Sequence, residues 1–396
     1  MDQLVIQGRE PVTLDEIVRV AEKAKAVVAK VRKVMLAPTA AKEAPLYNMA
    51  QLAAITGLDT RQIEYRVKKG DLPSGRLNAA GSRREFTLAE VRKWSREIRR
   101  DRMRPPGAEA LTLSIGNFKG GVAKTTTAIT LAQGLSLLGH RVLLIDTDPQ
   151  GSLTTLFGVL PDAEVEKNDT ILPLCEGTET DIRYAIRPTY WDGIDLVASA
   201  ALLFSAEFLL PSRQKSEPNF EFWNVLHYAI DAARLEYDVI IIDTPPALSY
   251  VTINVFMASN GIIMPLPPNA LDFASSAQFW DLFADLTGSL AAAGRLSKEF
   301  DFINVLLSRV DVSDAASAVV REWISAAYGE KVLPVEVPKT SAAATASAEF
   351  GSIYDIRPGS ASNKTIKRAV EAYDRVVEQI EHQIVATWMK QTGGKA

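Results

Sequence analysis

The stretch Asn117-Phe118-Lys119-Gly120-Gly121-Val122-Ala123-Lys124-Thr125-Thr126 stands between an apolar segment, Leu111 to Ile115, and an alanine-rich helical pattern. A strand, a glycine turn and a helix start form the context of a phosphate-binding loop. Backbone N–H groups cradle the anion there, and a lysine and a hydroxyl beside them neutralise the terminal phosphates and hold Mg²⁺. The loop departs from the ordinary G-x-x-x-x-G-K-[ST] pattern, because Phe118 and Ala123 stand where that pattern has glycine. In exchange it carries a second lysine, Lys119, ahead of the two glycines, which suggests a charge meant for the phosphates of a neighbouring subunit. Ala123 needs explanation only if its position demands positive φ.

Two further segments end hydrophobic runs that read as buried parallel strands. They are Arg141-Val142-Leu143-Leu144-Ile145-Asp146-Thr147-Asp148-Pro149-Gln150-Gly151 and Tyr237-Asp238-Val239-Ile240-Ile241-Ile242-Asp243-Thr244-Pro245-Pro246. With the loop they resemble, in order, the deviant Walker A (K-G-G-x-x-K-[ST]), Walker A′ and Walker B motifs of the ParA/MinD ATPases. From Leu111 onward strands and helices alternate, which predicts an α/β, doubly wound parallel sheet. Further strands are expected at Ile194 to Val197, Gly261 to Pro265, Phe302 to Leu307 and Val332 to Val335. Helices are expected at Thr125 to Leu138, Glu221 to Glu236, Ala270 to Leu290, Ala315 to Ala327 and Asn363 to Met389.

At 396 residues the chain exceeds one ordinary domain, and 47% hydrophobic with 23% charged residues is the composition of a soluble globular protein. One cysteine, Cys175, excludes an internal disulfide, and three histidines without a Cys/His cluster give no zinc-ligand spacing. No long uncharged apolar run and no signal-like N-terminus is present, so a cytoplasmic protein without membrane insertion is expected, and the resemblance implies that it is nucleoid-associated. The net charge of -4 hides an asymmetry: residues 1 to 110 hold 22 Lys/Arg against 14 Asp/Glu, and the remainder 22 against 34. A basic N-terminal quarter on an acidic body is the footprint of a nucleic-acid-binding module, although a charge run can also be a solvated face.

Inside that quarter Asn48 caps a short helix, Met49 to Thr56; Gly57-Leu58 turns; and Asp59 caps a second helix, Thr60 to Lys69. This helix-turn-helix outline offers Thr60, Arg61, Gln62, Tyr65 and Arg66 to base edges in a major groove. The basic turn and strand Gly81 to Thr87, with Arg83 and Arg84, and a helix from Leu88 to Arg100 complete a winged, MerR-like pattern. Ahead of it a capping box at Thr13-Leu14-Asp15-Glu16 opens a helix through Val34 with apolar positions Leu14, Ile17, Ala21, Ala24, Val28, Val31 and Val34. That stripe packs either on its own chain or on another subunit. Ala37 to Ala44 and Arg102 to Ala110 read as linkers. The expected division is 1–44 (a dimerisation helix), 45–104 (a winged helix-turn-helix) and 105–396 (the ATPase).

The whole resembles the large, helix-turn-helix-bearing ParA partition ATPases, including RepA partition proteins. The resemblance implies ATP and Mg²⁺ as cofactors and an ATP sandwich homodimer that binds DNA without sequence preference. It also implies hydrolysis stimulated by a ParB-type centromere-binding partner, and a helix-turn-helix that reads the protein's own operator. It implies that Gly120, Gly121, Val122, Ala123, Lys124, Thr125 and Thr126 hold the phosphates, and that Lys119 reaches the partner's nucleotide. Thr125, Asp146 and Asp243 then serve the metal, and Asp148 orients the attacking water. Pro338-Lys339-Thr340 and Ser308-Arg309 fall where the family lines its adenine pocket; the residues alone do not separate ATP from GTP. Lys364, Lys367 and Arg368, after Gly359-Ser360, are candidates for the sequence-independent DNA surface or are a solvated helix face. One cysteine excludes an iron–sulfur relative, and the mixed charge of Glu371 to Met389 excludes a basic amphipathic membrane tail.

Overall fold

The computed structural model describes residues 11–35, 42–292, 298–340, 351–356 and 363–393. Two compact units separate between Lys42 and Glu43. The first holds one helix, α1 (Leu14–Met35), whose residues 14 to 31 are all exposed, including Leu14, Ile17, Val28 and Val31 of the apolar stripe. The side chain of Val34, and residues 37–41 of the expected linker, lie outside the described residues.

The second unit begins with β1 (Tyr47–Asn48), α2 (Met49–Thr56) and α3 (Thr60–Lys69). Asn48 and Asp59 each close a reciprocal capping box with the residue three positions on, and Gly57 takes φ 71° at the turn. Both helices start and stop where the sequence says, because caps are local chemistry. A hairpin of β2 (Arg76–Leu77) and β3 (Arg84–Phe86) forms the wing, and β1 joins it in the order β1-β3-β2. Then comes α4 (Leu88–Ile98), ending two residues before the expected Arg100, with a 3₁₀ turn at Arg100–Arg102 after it.

The doubly wound sheet is borne out. Its strands are β4 (Leu111–Ile115), β5 (Val142–Asp146), β6 (Arg187–Pro188), β7 (Ile194–Val197), β8 (Val239–Asp243), β9 (Gly261–Leu266), β10 (Phe302–Val310) and β11 (Val332–Pro338). They run in the order β11-β10-β9-β4-β8-β5-β7-β6, parallel throughout except for the short edge pair β6 and β7. The register sets Ile115 beside Asp243 and Asp146 beside Asp243. The C-terminal ends of β4, β5 and β8 therefore open on one crevice, the place where open α/β sheets bind ligands.

The helices of this unit continue with α5 (Lys124–Leu137), α6 (Ser152–Leu156), α7 (Pro161–Glu164), α8 (Leu172–Glu176), α9 (Ala206–Ser216), α10 (Val225–Ala229), α11 (Asp231–Glu236), α12 (Tyr250–Ala258), α13 (Ala270–Ala292), α14 (Ala315–Tyr328) and α15 (Asn363–Gln391). One expected helix, Glu221 to Glu236, is instead a 3₁₀ turn, α10 and α11, broken at Ile230. Side chains take backbone groups at the break: Arg234 donates to the His227 carbonyl at 3.2 Å, and the Leu226 amide donates to Asn254 at 3.2 Å.

The second expected linker is likewise a packed strap. Arg104 donates to the carbonyls of Ala108 (2.7 Å) and Leu235 (2.9 Å), Ala108 and Ala110 are buried, and Trp388 of α15 donates to the Glu109 carbonyl at 3.0 Å. The winged module accordingly shares one continuous apolar core with the sheet domain. Leu52, Ile63, Phe86, Leu88, Val91 and Trp94 cluster with residues of β4, α5 and α15.

Polar groups reinforce that joint. Arg92 donates to the Ser136 and His140 carbonyls (3.1 and 3.0 Å) and pairs with Asp192 at 2.5 Å, while Arg96 donates to the Gly139 carbonyl at 2.7 Å. Two guanidinium groups thus cover the C-terminal end of α5, where unpaired carbonyls and the helix dipole favour cations. Beside them Glu381 of α15, fully buried, accepts from Arg99, from Arg102 at 3.1 Å and from His140 Nε2 at 2.9 Å.

Candidate nucleotide site

The loop between β4 and α5 is shaped by its own side chains. Asn117 accepts from the Lys119 amide (3.1 Å) and donates to the Pro265 carbonyl (2.9 Å); Phe118 packs on Phe279 with ring centroids 4.3 Å apart. The aromatic that replaces glycine is therefore the loop's anchor to α13. Gly121 has φ 73° and Ala123 φ 76°. The position of Ala123 does demand the left-handed region, and alanine occupies it under strain of about 1–2 kcal/mol. Ala123→Gly is expected to raise stability by up to about 1 kcal/mol, the relief exceeding the extra freedom of glycine in the unfolded chain; a thermal denaturation curve without nucleotide reads the difference.

Lys124, buried at the start of α5, donates to the Lys119 carbonyl at 2.9 Å and so closes the loop on itself. Burial pulls its pKa down, against the upward influence of Asp243 and Asp148. Thr125 donates to Asp243 Oδ2 at 2.7 Å, while Asp243 Oδ1 is buried with no hydrogen-bond partner among the described residues. Burial holds the Asp243 carboxyl well above the carboxylate range, with Asp146 and Asp148 adding repulsion and the Thr125 bond and Lys124 opposing.

An orphaned carboxylate oxygen beside a threonine hydroxyl fits a hard cation that keeps much of its water. Among the described residues no group of three or more His, Cys, Asp or Glu could hold a metal on its own. The donor set therefore suits Mg²⁺ brought with phosphate oxygens.

Asp148 lines the cleft half-buried, its Oδ1 accepting from the Gln150 amide at 3.0 Å, and burial raises its pKa. Asp146 does not line the cleft. Its Oδ1 accepts from the Asp148 amide (3.1 Å), and its Oδ2 accepts from the Thr154 amide (2.9 Å) and hydroxyl (2.7 Å). Its work is to hold the turn into α6, and burial pushes its pKa up to about 7.

The cleft encloses about 1030 Å³ between Gly120, Gly121, Ala123, Lys124, Thr125 and Thr126 at one end and Val337, Pro338, Lys339 and Thr340 with α15 at the other. Val122 is buried behind the loop, its carbonyl accepting from Ser308 at 3.0 Å. Ser308 is thus a buttress rather than a pocket residue. Arg309, with φ 52°, lines the cleft and donates to the Gly121 carbonyl at 2.5 Å. Lys119 is not part of the lining. Its ammonium pairs at 2.5 Å with Asp272 in the first turn of α13. Sequence reasoning passed over Asp272, although an acidic residue opening a helix after Pro267-Pro268-Asn269 was the available signal.

On the winged module Thr60, Arg61 and Tyr65 are exposed along α3, and Arg66 lies 3.8 Å from Asp71. Two expected contacts are engaged elsewhere. The Gln62 side chain accepts from the Asp59 amide at 2.9 Å as part of the cap, and Arg84 donates to the Ser74 carbonyl, while Arg83 is exposed on the wing together with Arg76. Lys364, Lys367 and Arg368 are all exposed on the first turns of α15, with Lys367 3.8 Å from Glu371; residues 359 and 360 before them lie outside the described residues. No described helix is long and apolar enough to cross a membrane.

A glycine loop feeding a helix N-terminus, with a strand-end aspartate bonded to the helix threonine, defines a P-loop nucleoside-triphosphate fold. Residues 110–292 match the family model described as an AAA domain, and protein SopA of Escherichia coli K12 is 32% identical over 319 residues, 76% of this chain and 79% of SopA. The chain belongs to the ParA/SopA-type family of partition ATPases. A solved structure described as a partition protein shares the fold over 93% of this chain and 98% of its own, with a TM-score of 0.64 at 18% identity. The cobyrinic acid a,c-diamide synthase of Mycobacterium smegmatis, solved with an ATP analogue and magnesium, is 26% identical and covers 68% of this chain and 94% of its own, with a TM-score of 0.53.

Proposed function

We propose that the protein is a nucleotide switch for DNA partition. Mg²⁺ and ATP bind in the cleft, two copies close over their nucleotides, and the closed dimer holds DNA without sequence preference. A ParB-type partner then stimulates hydrolysis and resets the state. Lys124 neutralises the β- and γ-phosphates, Thr125 and, through water, Asp243 hold Mg²⁺, and Asp148 orients the attacking water. Asp146 supports that shell through the turn it fixes. Residues 1–44 dimerise, 45–104 read an operator through Arg61, Tyr65, Arg66 and the wing, and 105–396 form the switch. Repression of the protein's own operon follows from the operator-reading module.

The observation that supports this reading most directly is the position of Lys119. A cation outside its own cleft at the mouth of the phosphate loop, paired there with Asp272, supports a role toward a nucleotide on another subunit. The test is binding to random-sequence duplex DNA over a salt series with Mg²⁺ and ATP, with Mg²⁺ and ADP, and with no nucleotide. Binding only with ATP, falling steeply with salt as phosphate contacts require, is the expected result. Binding indifferent to nucleotide, or none, would move the assignment to a transcriptional regulator whose ATPase fold only senses nucleotide.

A further inference from the structure

The far wall of the cleft carries a group for which phosphate chemistry has no use. Ala369 and Tyr373, one helical turn apart on α15, close the cleft together with Val337 and Pro338 of β11 and the two residues after it, Lys339 and Thr340. Tyr373 is only 4% exposed, yet its phenol makes no hydrogen bond among the described residues. Nearby phenols are treated differently: Tyr354 donates to Asp374 at 2.6 Å and Tyr190 to Asp355 at 2.8 Å. Tyr47, whose hydroxyl is fully buried without a partner among the described residues, does not line the cleft. A hydroxyl on a side chain this little exposed has scarcely any water to bond, and one on the wall of a ligand cleft can take its partner from the ligand. Burial raises the pKa of this phenol, so it remains a neutral O–H donor throughout the physiological range.

We propose that Tyr373 is a nucleoside-recognition residue, its O–H hydrogen-bonding the sugar or base of a nucleotide whose phosphates lie on Gly120 to Thr126. Pro338 supplies apolar surface, and the small side chain of Ala369 leaves room beside the phenol. This rests on reading the cleft as the nucleotide site and adds to it a residue that tells a nucleoside triphosphate from bare polyphosphate. It also makes α15, whose first turns present Lys364, Lys367 and Arg368, part of the nucleotide's own enclosure.

Tyr373→Phe keeps the ring and removes only the hydroxyl. Calorimetric titration of the full chain with Mg²⁺ and ATP is expected to show a roughly 3- to 10-fold loss of affinity in the variant, the worth of one neutral hydrogen bond. The affinity for Mg²⁺ and inorganic tripolyphosphate should not change, which also reports that the variant is folded. 2′-Deoxy-ATP assigns the acceptor: a matching loss in the unaltered protein places the phenol on the sugar 2′-hydroxyl, and no loss places it elsewhere on the nucleoside. Equal ATP affinity in both proteins, or equal losses for ATP and tripolyphosphate, overturns the proposal while leaving the nucleotide site standing. An unaltered protein that binds neither ligand overturns the nucleotide reading, and this one with it.

Discussion

Lys119→Ala is expected to bind Mg²⁺ and ATP within a few-fold of the unaltered protein and yet to lose roughly 10²- to 10³-fold in partner-stimulated hydrolysis, together with ATP-driven dimerisation. The first half follows from Lys119 standing outside the cleft, with Lys124 and the backbone amides left to hold the phosphates. The second follows from the general worth of a positive charge delivered to a phosphoryl transition state, about 10²-fold or more for a single preorganised donor. Asp272 supplies the internal control. Its carboxylate holds the Lys119 ammonium at 2.5 Å, so a lysine that crosses to another subunit must first leave it. Asp272→Asn removes the charge and keeps the shape, and is expected to dimerise at lower ATP concentration. Sedimentation velocity with ATP, beside phosphate release with and without the partner, measures both variants. Full dimerisation and full stimulation in Lys119→Ala would reject the trans role.

Glu381→Leu is expected to destabilise the protein by about 3–5 kcal/mol, the usual cost of removing one member of a buried ionic cluster. Arg99 and Arg102 would be left around an apolar residue, and His140 would lose its acceptor. Chemical denaturation at neutral pH reads the loss. The same group predicts an acid limb. Burial alone would raise the Glu381 carboxyl, but the hydrogen bonds and charges of His140 and Arg99 bring it down to about 2. Its folded pKa lies below the unfolded value of about 4.3. The stabilisation is therefore complete above the unfolded value and disappears as pH falls from there toward about 2. Stability that fell equally over this range in Glu381→Leu would mean other carboxylates set the acid limb.

The features legible in the sequence are those decided within a few residues. Asn48, Gly57 and Asp59 mark helix ends by local hydrogen bonding, the apolar runs before Asp146 and Asp243 mark buried strands, and the spacing around Lys124 marks the phosphate loop. What sequence reading misassigned depends on partners far along the chain. Arg102 to Ala110 has the proline and small residues of a linker, and distant partners such as Trp388, Leu235 and Asp238 turn it into a strap. The Glu221 to Glu236 helix has a sound periodicity and breaks because Asn254 and Arg234 claim its backbone. At the site, Asp146 and Asp148 have the same side chain two residues apart. Only the position of Thr154 shows that the first is committed to the turn and the second faces the cleft.

The arginine-rich joint also bears on inheritance. Arg92, Arg96, Arg99 and Arg102 lie on the winged-module side of the boundary, while Asp192, Asp238, His140 and Glu381 lie on the side of the sheet domain. A foreign winged module grafted in front of this ATPase would leave Asp192, Asp238 and Glu381 facing strangers, and the ATPase trimmed of its module would be left with a raw, charged seam. Exchange of such modules between lineages therefore has to carry both halves of the joint. The boundary at which the chain looks most easily cut is one that ion pairs and a shared core span.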